Sequence, residues 1–334
     1  MKKDFLLDIC INALVEDSED QEDFDHKLEK IVSEDMLTDL YKALIEEIPK
    51  DVVGAFLETC EKYYKEAKKE EAVYRRHLDE IWEKGFELTN ALYEMVIEEV
   101  ADFSSRITKE HGEDIKGKEY KVKVLQLISN RNLQTFDAIF CLIKNGFGDQ
   151  AFMLFRNMFE NWVVSKFIFL SNEATAKEFY FLQKEGVDNF SDYNWARKSG
   201  KFKEKERITF KSIYNKCEFK NPDGGLWYKQ YRMACKLLHT TPIGTTHSLA
   251  VASNEKEELP LVGQSPYGLN IAAEHSALML VATVTNYLGL IYDESNLVFI
   301  KILNKWVEKI STAYTEIAEG MDENEASNDD EAVK

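Results

Sequence analysis

Apolar residues recur every three or four positions along most of this chain, which is the spacing of amphipathic helices. In DFLLDICINALV they fall at 5, 6, 9, 13 and 14, and DFDHKLEKIVSE and DMLTDLYKALIEEI repeat the pattern. These stretches predict three short helices in the first fifty residues. Pro49 predicts a boundary, with Asp51 placed to cap the helix that follows. From Asp51 to about His111 there is no proline, so the span predicts two long helices, or one broken near Gly85. Residues 60–85 are charged nearly all round, with an apolar stripe at Tyr64, Val73, Leu78, Ile81 and Trp82. A helix of that kind is partly exposed or packs on a partner.

A denser apolar block comes next. YKVKVLQLISNRNLQTFDAIFCLIKNG (120–146) predicts a helix with Gly146 at its C-terminal cap. DQAFMLFRNMFENWVVSKFIFL (149–170) is apolar on most faces and is expected at the centre. NPDGG (221–225) predicts a turn, and LWYKQYRMACKLLH (226–239) a further helix. The linker 240–268 holds Pro242, Pro260 and Pro266, and loops of this length are often functional. Two helices joined by DESN close the chain. With no strand set, the expected fold is all-α, a long-helix bundle with a small N-terminal helical module. The expected divisions are 1–50 for that module, 51–318 for the main domain and 319–334 for a disordered acidic tail.

Composition narrows this picture. The 334 residues are 44 % hydrophobic, enough to bury a sizeable core, and the net charge of −18 disfavours general adhesion to nucleic acid. The charge is uneven. Residues 16–25 hold seven acids and no base, whereas Arg197 to His239 hold twelve Lys/Arg against four Asp/Glu. The basic segment is either a set of solvated helix faces or a surface that attracts phosphate. Five cysteines, odd in number, widely spaced and without CxxC, point to reduced thiols in a cytoplasmic protein. Asp4 and Asp8 interrupt the N-terminal apolar stretch, against a signal peptide. The most apolar run, 277–292, is too short and mixed to span a membrane.

The stretch YRMACKLLHTT (231–241) carries the closest thing to a chemical signature. Seven residues on a helix set Arg232 and His239 on one face, with Cα atoms roughly 10.5 Å apart. Arg offers a forked donor suited to phosphate, and His moves protons near neutral pH. Such a pair can cleave RNA without metal, with the 2′-hydroxyl as nucleophile. The other reading is one surface Arg and one buried His. Arg156 and Glu160, at i and i+4, form either a structural clasp or the wall of a polar cavity near His239. Tyr231 and its neighbours Trp227 and Tyr228 either pack in the core or stack on bases. His247, in the linker, is a supporting candidate. His239, His247, Glu274 and His275 lack any standard ligand spacing, so no metal is expected. No cofactor is expected either, since the chain holds no P-loop, GxGxxG or GxSxG.

Two resemblances bear on these residues. Arg-x6-His near the end of an all-α region resembles the motif of HEPN domains, many of which are metal-independent RNases of bacterial toxin and phage-defence systems, with sites formed across a dimer. That resemblance implies Arg232 and His239 as the catalytic pair, RNA as substrate and a homodimer as assembly. The stretch 125–169 also looks like a bacterial helical family of unknown function. That family has an apolar helix, a Gly-containing turn (here Gly146/Gly148) and a helix bearing Arg-x3-Glu (here Arg156 and Glu160). Its later Tyr-x3-Ser-x3-His segment is matched by YRMACKLLH, with Cys235 in the serine position. Two functions follow as expectations. One is an RNA-binding or RNA-cleaving HEPN-like protein. The other is a non-catalytic scaffold that docks a protein partner through its N-terminal helices (5–48).

Overall fold

The computed structural model describes residues 34–182, 193–219, 225–239 and 263–332, together with Asp20, Asp23, Asp25 and His26. Side chains are described outside 34–49, 51 and 322–332. Among the described residues the structure is all-α, without strands. The chain divides into two compact units, Met1–Val73 and Tyr74–Lys334.

The first described helix, α1, spans Glu34–Lys109. It runs through both Pro49 and Gly85, where the sequence suggested interruptions. A proline inside a helix removes one backbone donor and crowds the preceding turn, at a local cost of about 3 kcal/mol, yet the turns on both sides continue. In the first unit, every residue of α1 from 52 to 73 is exposed.

In the second unit, α1 is joined by α2 (Glu119–Lys144), α3 (Gly148–Phe169) and α4 (Glu173–Leu182). A 3-10 helix at Asn194–Ser199 and a short α5 (Phe210–Asn215) follow. The remaining helices are α6 (Leu226–Leu238), α7 (Leu269–Leu288) and α8 (Glu294–Ala332). The last of these carries helical backbone as far as Ala332. Helices α2, α3 and α7 pack on one another at the centre. Helix α8 lies on α7, α4 on α2, and α5 and α6 on α3. The central position expected for 149–170 is therefore observed, with Phe152, Phe155, Phe159 and Phe167 fully buried.

Polar side chains stitch the three central helices together. Asn132 Nδ2 donates to Thr283 Oγ1 at 2.8 Å, and Asn161 Nδ2 donates to Asn132 Oδ1 at 2.8 Å. Asn286 Nδ2 donates to Ser165 Oγ at 2.8 Å. The buried amides of Asn132 and Asn286 would be costly to leave unpaired, so the network fixes the register of α2, α3 and α7.

Two glycines answer to tertiary contacts. Gly85 admits the ring of Tyr314 from α8, and a Cβ there would lie 2.9 Å from two of its ring atoms. Tyr314 is fully buried, 5.4 Å from the Trp82 ring, and its hydroxyl is 3.1 Å from Thr89 Oγ1. Gly146, just past α2, has φ +77°, the left-handed cap conformation that glycine accepts most easily. Its carbonyl accepts the Ser265 N–H at 2.9 Å, and a Cβ would meet Ser265 backbone atoms at 3.0 Å.

Candidate functional site

The site is built where α6 crosses α3. Helix α3 carries Arg156 and Glu160 one turn apart, and Arg156 Nε donates to Glu160 Oε1 at 3.0 Å. The Tyr231 hydroxyl of α6 donates to the same carboxylate oxygen at 2.9 Å. Arg156 and Glu160 side chains are 28 % and 29 % exposed, so the pair is shielded but reachable. The Tyr231 ring stacks on Phe159 at 4.9 Å and lies 5.1 Å from Phe210. Alternation along α6 explains the placement. Tyr231, Ala234 and Leu237 face the core at helical spacing, while Arg232, Lys236 and Leu238 turn outward.

Burial and the neighbouring charges shift the ionisable groups around Glu160. Burial, then the Glu160 carboxylate, raises the Tyr231 phenol far above its usual range, so it stays a hydrogen-bond donor. Burial disfavours the charge on Arg156, but Glu160 outweighs it and the net shift is upward. The Cys235 thiol is raised by burial, against the lowering effect of Tyr231 and Arg156, so it stays protonated. A neutral thiol is a poor nucleophile. Tyr193 is raised by burial and then by Glu160, which places its phenol in the field of the same carboxylate.

The candidates from sequence therefore separate into two groups. Arg156, Glu160 and Tyr231 come together, with Cys235 under their influence. Arg232 and His239 are both exposed. Helix α6 ends at Leu238, and His239 is its C-cap, with φ −91° and ψ 142° and its N–H donating to the Cys235 carbonyl at 3.2 Å. The chain leaves the helix at His239: its N–H still bonds one turn back, and its ψ of 142° turns the backbone extended beyond it. His247 lies outside the described residues.

The aromatic neighbours are partly buried and packed against the core. Tyr228 packs on Tyr214 at 4.7 Å, and Trp227 meets the edge of His275 at 5.1 Å. His275 is also boxed by Phe152 and Phe155 at 5.8 and 5.4 Å, and burial lowers its pKa to about 4. Sequence reasoning passed over this box, and it passed over Tyr193 and Phe210; none of them falls in a motif.

The basic segment is mixed in role. Arg197 is committed to the fold, donating to the carbonyls of Lys203, Glu204 and Glu206 at 2.7, 2.7 and 2.8 Å. Lys203, Lys205, Arg207, Lys211 and Lys216 are exposed. Among the described residues, no three His, Cys, Asp or Glu side chains are grouped so as to hold a metal ion. No helix among them is long and apolar enough to cross a membrane.

Residues 122–221 match the model of a family of unknown function (DUF5677). This accords with the resemblance carried by 125–169, and it takes in Arg156 and Glu160. The match stops short of Tyr231, Arg232 and His239. No curated protein and no solved structure matches the chain.

Proposed function

We propose that the chain binds RNA and cleaves it without a metal ion, using Arg232 and His239. The observation that supports this reading is their joint exposure at the end of α6, in a segment rich in exposed cations. In a chain of net charge −18, a local basic surface is where a polyanion is expected to land. The Arg156–Glu160–Tyr231 cluster positions α6 from beneath. Its groups are tied to one another, so it supports the chemistry and does not take part in it.

In this reading Arg232 grips a phosphate through its guanidinium. His239 takes the proton from the adjacent 2′-hydroxyl, and the 2′-oxygen attacks phosphorus. The bond to the 5′-oxygen breaks, solvent protonates that oxygen, and the imidazolium returns its proton to solvent. The products are a 2′,3′-cyclic phosphate and a 5′-hydroxyl.

The test is cleavage of single-stranded RNA by the purified chain in EDTA, with the ends of the products identified. His239→Ala is expected to slow cleavage by about 10²- to 10⁴-fold, the usual worth of a general base. Arg232→Ala is expected to weaken binding and flatten its salt dependence. Cleavage that persists at the wild-type rate in both variants rules the reading out. A second reading is a non-catalytic scaffold that docks a protein partner through its N-terminal helices (5–48). It expects no RNA product from the wild type at all.

A further inference from the structure

The first unit carries an apolar stripe in open solvent. On α1, Val53, Phe56, Leu57, Tyr63 and Tyr64 are 55, 62, 68, 58 and 62 % exposed. Cys60 and Ala67 between and beyond them are exposed too. At 100° and 1.5 Å per residue, the seven positions cover roughly 120° of the helix surface over about 21 Å. A contiguous patch of large apolar side chains on this scale marks an interaction surface.

The pattern says what covers it. The positions 53, 56, 57, 60, 63, 64 and 67 are separated by steps that read the same in both directions from Cys60. Laid against a second copy of itself, parallel or antiparallel, the stripe matches apolar to apolar at every position. In either direction Cys60 meets the Cys60 of the second copy.

Charge points the same way. Between 52 and 73 the helix holds four lysines and five glutamates, so it is nearly neutral in a chain of net charge −18. Two copies can meet here without the repulsion that the acidic remainder imposes. A strongly basic or acidic foreign partner finds no matching field along this face. We propose that residues 53–67 are a self-association surface, occupied by the same stripe of a second copy of this chain. The proposal stands apart from the RNA reading.

The experiment uses the full chain. Sedimentation velocity at tens of micromolar is expected to show a dimer. Phe56→Glu and Leu57→Glu are each expected to shift it to monomer with an unchanged helical circular dichroism signal, since both side chains are exposed. A short bis-maleimide is expected to join Cys60 to Cys60, as mapped by mass spectrometry, and Cys60→Ser is expected to abolish that product. A wild type that sediments as monomer, or a dimer that survives both glutamate variants, overturns the proposal. Cross-links that map only to Cys141 or other thiols do the same.

Discussion

At the scale of single residues, the most consequential group outside the candidate site is His275. Phe152, Phe155 and Trp227 surround its ring. Burial lowers its pKa from 6.5 to about 4. Between those two values the unfolded chain takes up a proton that the folded chain refuses. The stability tied to the neutral ring is therefore complete above pH 6.5 and lost as pH falls toward 4. Burial raises Glu99, Glu173 and Glu274, and raised carboxyls act in the opposite direction, so only a comparison of variants isolates the histidine. Urea unfolding of wild type and His275→Phe at pH 7 and 4.5 should show the wild type losing about 2 kcal/mol more than the variant. Parallel losses would refute the assignment. Of the residues in the candidate site, Arg156 and Glu160 were legible because their spacing alone makes them neighbours. Tyr231 was named, but its bond to Glu160 was not, because it depends on where α6 crosses α3. The box around His275 was illegible for the same reason.

At the scale of elements, helices set by a continuous apolar period were legible, and the interruptions were not. Helices α2, α3, α6 and α7 begin and end within a few residues of the positions that their caps and glycines suggested. Gly146 was read as a cap, and its positive φ bears that out. Gly85 was read as a potential break because glycine lowers helix propensity. Its reason lies 229 residues away in Tyr314, whose ring fills the space that a Cβ would need. Propensity favours alanine over glycine in a helix by about 1 kcal/mol. Displacing a fully buried tyrosine outweighs that, since overpacking a tight core costs roughly 1–3 kcal/mol. Gly85→Ala should therefore lower the melting temperature, and Gly85→Ala with Tyr314→Leu should recover part of the loss. A higher melting temperature in the single variant would show that the ring gives way freely.

At the scale of the whole molecule, the described side chains of the two units differ in burial, since those at 52–73 are all exposed. Among the described residues every buried hydrophobic side chain lies at Leu78 or beyond. A chain beginning at Tyr74 should therefore keep a single cooperative thermal transition within a few degrees of the full chain, and should sediment as a monomer. Loss of cooperativity would mean that the first 73 residues support the core. The fold class was open to sequence reading because helical periodicity is local; the exposure of Arg232 and His239 was not, because it depends on packing that no short pattern encodes. The clamp at Gly146 has one more consequence. Ser265 binds the Gly146 carbonyl and Trp82 Nε1 donates to the Pro266 carbonyl at 3.2 Å, so the chain is gripped as it enters α7. On the near side, α6 is held to α3 by Tyr231 and Glu160. Cut between 239 and 263, the two fragments are expected to find each other through these contacts. Produced as two fragments cut in that interval, the molecule has the makings of a split reporter, whose halves report a meeting by reassembling one core.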